Sequence, residues 1–259
     1  MPPASTKQVS RRFSLDDFTV HEMMELSARL RTLTAESSNM EGASGRIVRY
    51  LYENLVSKES SKNACALVRF FQTRSYGSLN EELRQVARAS LGGTETPEMK
   101  CLVLLATAGD RPEWNLPSQS TGHRAIPLPN ENAIKKAPMI AQLLLQMGLS
   151  AHSLATADAP LMLDQEKANF KVFYVAEALG SPYVPAQDFV REAGIKSVVG
   201  FGGLLRSRDV FALVLFSNVA ISRPTAELFS SLGLMVKLGV ARFDQDPVPV
   251  AMNTRAAAK

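Results

Sequence analysis

Near the end of the chain two apolar runs, residues 195–205 (IKSVVGFGGLL) and 210–217 (VFALVLFS), are held apart by only four polar residues, Arg206, Ser207, Arg208 and Asp209. Runs rich in β-branched and aromatic residues suit a pleated surface, and a polar spacer this short leaves adjacent antiparallel strands as the natural connection. This end of the chain is therefore committed to an antiparallel sheet, and the remaining segments are read for what extends and covers it.

Residues 64–71 (ACALVRFF) and 99–106 (MKCLVLLA) have the same bulky character and read as central strands. Residues 124–128 read as a strand at a sheet edge, because Pro127 cannot donate to a ladder. Residues 170–175 are apolar and aromatic enough for another short strand.

Helical spacing appears in Met23, Leu26, Leu30 and Leu33, with Ser14, Asp16 and Asp17 expected to cap that helix, and again in Ile47, Val48, Leu51 and Leu55 after an interruption at Gly42 and Gly45. Leu83, Val86 and Ala87 suggest a short helix closed by Gly92 and Gly93, since glycine takes the left-handed cap at little cost. Ile140, Leu143, Leu144 and Met147 form a stripe between Pro138 and Gly148. Pro185 opens a short helix with Phe189 and Val190 that Gly194 closes, and Ser222 with Pro224 starts a last stripe through Leu228, Leu232 and Met235 toward Phe243. Residues 106–122, with Trp114, read as a long ordered loop, residues 150–169 as irregular, and the chain from Asp244 onward as a mobile tail. This order argues for an α+β fold, a mainly antiparallel central sheet flanked by helices with an N-terminal helical extension.

Composition narrows the partners. A hydrophobic content of 46% in 259 residues supports a buried core and excludes disorder of the whole chain. The net charge of +4 comes from basic and acidic residues that are interleaved, so no nucleic-acid footprint is expected. No stretch reaches the roughly 18 apolar residues of a membrane span, and the polar first residues lack a signal-peptide core. The two cysteines, Cys65 and Cys101, sit inside apolar runs without disulfide or metal-ligand spacing, which fits a reducing cytoplasm.

The segment GIKSVVGFGGLLRSRDVFALVLFSN followed by RPTAELFSSLGLMVKLGVARF resembles the closing half of a GAF domain: a strand that ends at a pocket, a hairpin turn, a strand with a small polar end, and a helix returning across the sheet. Upstream, ACALVRFF and KCLVLLATAG are similar to the first two strands of such a domain. The resemblance implies a polar leader and N-terminal helix over residues 1–44, a GAF-like sensor domain over 45–243 and a flexible tail over 244–259. It also implies a cytoplasmic sensory or regulatory role, since such domains serve as small-molecule, tetrapyrrole or redox sensors in bacterial signalling proteins such as the histidine kinases of two-component systems. Its partners would be a small-molecule ligand and either a second copy, forming a homodimer, or another signalling protein. The stripes within residues 23–33 and 228–240 are then dimer faces, or they pack on the domain's own sheet.

Catalytic and metal signatures are missing. His21, His123 and His152 lie far apart with no HExxH or CxxC spacing, and no GxSxG elbow marks a nucleophile. Gly200, Gly202 and Gly203 are followed by more strand instead of a helix N-terminus, so they suit close backbone packing better than a dinucleotide. No cyclic-nucleotide signature and no chromophore cysteine can be placed, and no cofactor is named. A GAF-type thiol enzyme such as a free methionine sulfoxide reductase would need reactive cysteines in loops, whereas both cysteines here fall in strands. The expectation is a binding module and not an enzyme.

The aromatic residues at loops and strand ends are the candidate ligand contacts: Trp114, Tyr183, Phe189 and Phe201, with His123 beside the Trp114 loop and Gln187 in LGSPYVPAQDF, a lid or a rigid connection. A ligand-free dimerisation or scaffolding module, its pocket filled by its own side chains, is the competing reading.

Overall fold

A computed structural model describes residues 12–146, 148–155 and 172–246. Two short strands, β1 (Phe13–Ser14) and β2 (Leu55–Val56), pair in parallel beside the main sheet. That sheet is six-stranded and antiparallel, made of β3 (Cys65–Ser75), β4 (Lys100–Gly109), β5 (Ala125–Leu128), β6 (Phe173–Val175), β7 (Ser197–Leu204) and β8 (Val210–Ser217) in the order β5-β4-β3-β8-β7-β6. The hairpin is β7–β8, with Gly200 opposite Val214 and a turn in which Arg208 takes φ 69°. Strand β3 pairs with both β4 and β8, so the first and last parts of the chain meet at the centre of the sheet.

Side chains alternate across a strand, and here the two faces have different fates. On one face Val68, Phe70, Phe201 and Phe211 enter a solid core beneath α1 (Val20–Leu33), α2 (Met40–Asn54) and, at the chain's end, α8 (Arg223–Val240). α3 (Glu81–Ser90) links β3 to β4 and lies along β5. The other face is covered by shorter pieces: α4 (Glu131–Lys135), α5 (Pro138–Gln146), α6 (Ala151–Ala155), α7 (Gln187–Glu192) and the loop after β4. α1 and α8 run parallel: the Phe18 and Phe229 rings meet at 5.3 Å near their starts, and Thr34 Oγ1 donates to Gly239 O at their ends. The α+β arrangement expected for the chain's closing half, a strand hairpin followed by a helix that returns across a mainly antiparallel sheet, is the one observed from β7 to α8.

Local chemistry shifts several boundaries. α1 starts behind Thr19, whose side chain and Glu22 form a reciprocal capping box; Ser14 belongs to β1, and Asp16 accepts the Lys58 backbone N–H instead of capping a helix. Gly42 and Gly45 lie inside α2, which begins behind Asn39; burial of Met40, Ala43, Ile47 and Leu51 outweighs a glycine penalty of about 1 kcal/mol each. Residue 45, the expected start of the domain, is thus mid-helix, and α1 shares the core. α3 closes at Leu91 with φ −83°, before Gly92 and Gly93, whereas Gly148 and Gly194 do take positive φ, 71° and 63°, after α5 and α7. β4 continues through Gly109, so the expected long loop is shorter and holds two 3-10 turns, Pro112–Asn115 and Pro117–Gln119. Part of the segment read as irregular is α6, and the expected tail is tied down at its start, where buried Asp244 accepts from Ser207 and Asp246 accepts the Met40 N–H; residues 156–171 and 247–259 lie outside the described residues.

Candidate ligand-binding cavity

Between the second face of the sheet and its short cover lies a cavity of about 690 Å³, within the range that encloses small organic ligands. Its floor is the outward set of β3 and β8: Leu67, Phe71, Ala212, Val214 and Phe216. Leu143 and Leu144 of α5 form one wall, and Trp114 and Phe189 of α7 another. The wall at α5 comes close because β7 has glycine beneath it: a Cβ on Gly200 would stand 3.1 Å from Leu143 Cδ1.

The aromatic wall is braced. Phe189 meets Phe216 edge-on at 5.2 Å and Trp114 at 5.5 Å. The Arg111 guanidinium lies 4.8 Å from the Trp114 ring and pairs with Glu192 of α7 at 3.0 Å, so one residue braces the tryptophan and ties its loop to the helix. Thr107 Oγ1 donates to Trp114 O at 2.8 Å, and Asn115 Nδ2 donates to Gly109 O and Arg111 O.

The polar side chains that border the cavity come from β3 and from the loop after β4. Arg69 of β3 donates from Nη2 to Ser120 Oγ at 3.2 Å, while its Nε is buried without a partner. Burial pushes its pKa down to about 10. His123 stands at the rim, exposed on its outer side, and its Nδ1–H donates to Thr121 O at 2.9 Å. Desolvation first and the Arg69 charge second hold the His123 pKa below the usual histidine value, which favours the neutral ring. Thr73 is already engaged, donating to Asp209 Oδ1 and accepting from Val210 N–H, and Asp209 also pairs with Lys100 at 2.8 Å.

Of the residues singled out from the sequence, Trp114, His123 and Phe189 line this cavity together. Tyr183 is 40% exposed and stands outside the wall, which its neighbours Val184, Pro185 and Ala186 complete. Gln187 turns back on its own loop, donating to Ala178 O and Val184 O and accepting from Gly180 N–H, so it staples that loop to itself. Phe201 shares the parity of Val199 and points into the opposite core, 5.5 Å from the Phe229 ring. Arg69, Phe71, Ser120 and Leu143 also line the cavity, and no sequence pattern marks them as ligand contacts. The one available signal was Arg69 itself, a lone charge inside the apolar run ACALVRFF.

Cys65 and Cys101 are both buried in the helix-covered core, across the sheet from the cavity. Burial raises both thiol pKa values, that of Cys101 to about 12. A thiol reagent such as DTNB should therefore leave both unmodified in the native protein and modify both after unfolding; rapid native labelling of either would restore the case for a thiol enzyme. Among the described residues no group of three or more His, Cys, Asp or Glu side chains is placed to hold a metal ion, and no helix is long and apolar enough to cross a membrane.

No protein-family model matches the chain, and no curated protein matches its sequence. Several solved structures are similar in outline. A GAF domain from a phosphoenolpyruvate-protein phosphotransferase of Coxiella burnetii aligns at 12% identity and TM-score 0.46, covering 86% of this chain and 94% of its own. A free methionine-R-sulfoxide reductase from Neisseria meningitidis, in complex with its substrate, aligns at 13% and 0.46, covering 90% and 94%. A phycoerythrobilin-bound GAF domain from a cyanobacterial phytochrome aligns at 11% and 0.45, covering 85% and 95%. What the cavity of this chain holds depends on its own lining.

Proposed function

We propose that this chain is a cytoplasmic sensory or regulatory domain, not an enzyme, that takes up a small and largely apolar molecule and passes its occupancy through α1 and α8 to a partner protein or an output domain. The supporting observation is the cavity: about 690 Å³ of space between a sheet face and a braced aromatic wall. A pure scaffolding module has no reason to leave such a space, because unfilled volume forfeits dispersion contacts. The hairpin supplies a route outward. β8 floors the cavity, β7 pairs with it along its length, and α8 rests on β7 so closely that a Cβ on Gly233 would stand 3.0 Å from Gly202 O. α8 in turn lies against α1, and these helices expose Val20, Met24, Leu234 and Leu238. Those side chains suit a second copy or a signalling partner, as in the input region of a two-component histidine kinase.

The test is an absorbance spectrum for any co-purified chromophore and a thermal-shift screen against amino acids and their oxides, cyclic nucleotides, tetrapyrroles and aromatic acids. A ligand at a hundred times its dissociation constant stabilises the fold by about 2.7 kcal/mol. Trp114→Ala should abolish that shift while leaving a folded protein. If nothing co-purifies and no compound moves the wild-type melting temperature, the scaffolding reading takes over.

A further inference from the structure

Resting on that ligand-binding reading, we infer that the cavity's ligand has a single anionic head group, seated on Arg69, and an apolar body lying against Phe71, Trp114, Leu143 and Phe189. The reason is an imbalance of charge. A guanidinium stays protonated in proteins, and enclosing one without a counter-ion is unfavourable. Arg69 nevertheless projects from a central strand into a mostly hydrocarbon space, with one neutral partner, Ser120 Oγ, and a buried Nε that has none.

Among the described residues no carboxylate supplies the missing charge. Asp209 is paired with Lys100, Glu192 with Arg111 and Glu82 with Arg124. Glu113 also borders the cavity, but among the described residues no carboxylate forms an ion pair with Arg69. A planar guanidinium fork with an open Nε edge matches two oxygens of a carboxylate or a phosphate. The site holds one such fork. His123 is biased toward its neutral form and so adds no second cationic contact. Hence a single anionic head, with the remaining lining set to hold hydrocarbon or an aromatic ring.

The experiment compares matched acids and alcohols by calorimetry and thermal shift: decanoate, decyl phosphate and decanol, with indole-3-acetate against indole-3-ethanol. The proteins are wild type, Arg69→Met and Arg69→Lys. In the wild type at least one acid should bind about 10- to 100-fold more tightly than its alcohol, the difference expected for charge-assisted hydrogen bonds. Arg69→Met should remove that preference and Arg69→Lys should keep part of it. Whether the carboxylate or the phosphate binds more tightly identifies the head group. Without ligand, Arg69→Met should melt at or above the wild-type temperature, because it replaces a half-buried charge that has no ion-pair partner among the described residues by an apolar chain of similar length.

Three results would overturn the inference. If the alcohols bind as tightly as the acids and Arg69→Met changes neither, the cavity still binds ligands but reads no charge. If ligand-free Arg69→Met melts several degrees lower, Arg69 serves to hold the Ser120 loop. If no probe binds the wild type, the anionic head and the binding cavity fall together.

Discussion

Phe229→Ala is expected to lower the unfolding free energy by about 3–5 kcal/mol, the range for removing a buried aromatic ring. Phe229 is fully buried on α8, with Phe18 at 5.3 Å on the α1 side and Phe201 at 5.5 Å on the sheet side. One ring thus joins three elements that are distant in sequence. The space left behind cannot close easily, because its walls belong to a sheet and two long helices already packed together. Total stabilities lie near 5–15 kcal/mol, so the variant should survive only marginally, melting about 6–20 °C lower. Urea unfolding measures this directly; a loss under about 1.5 kcal/mol would mean that the layers are not joined at Phe229.

Gly202→Ala should be at least as damaging, for the opposite reason. A Cβ built on Gly202 would stand 2.1 Å from Phe211 O and 2.9 Å from Ala212 Cα, and both atoms are backbone of the paired strand. No side chain can rotate away, so β7 and β8 must separate or distort. The loss should reach or exceed the upper end of the roughly 1–3 kcal/mol seen for overpacking, and little soluble protein is expected. Gly45→Ala is the matched control: nothing lies within 4 Å of the added carbon inside α2, and alanine should stabilise the helix by up to about 1 kcal/mol. If both alanines behave alike, in expression and in urea midpoint, the close approach at Gly202 is not real.

Local chemistry made much of the molecule legible. The β7–β8 hairpin follows from two strand-like runs and a short polar spacer, and α5 from a stripe bounded by Pro138 and Gly148. α8 starts where Ser222 can accept the Thr225 N–H. The beginning of α1 was misread, because Ser14 and Thr19 are equally good caps in isolation and pairing of Phe13–Ser14 with Leu55–Val56 decides between them.

The site was less legible because its geometry is not local. A period of two sorts side chains into two faces, which places Phe201 with Val199 and Arg69 with Leu67, but nothing in that period says which face will be packed solid. That choice came from the cover: the long helices α1, α2 and α8 fill one face, and the short α4 to α7 span the other without filling it. Gln187 likewise had to fold back before its amide could be seen to serve its own loop. The sequence by itself determined strands, hairpin and most helices, since these depend on neighbours along the chain. Tertiary structure alone decided where the space would be and that a guanidinium with no ion-pair partner among the described residues would border it, because both depend on which distant elements share a face.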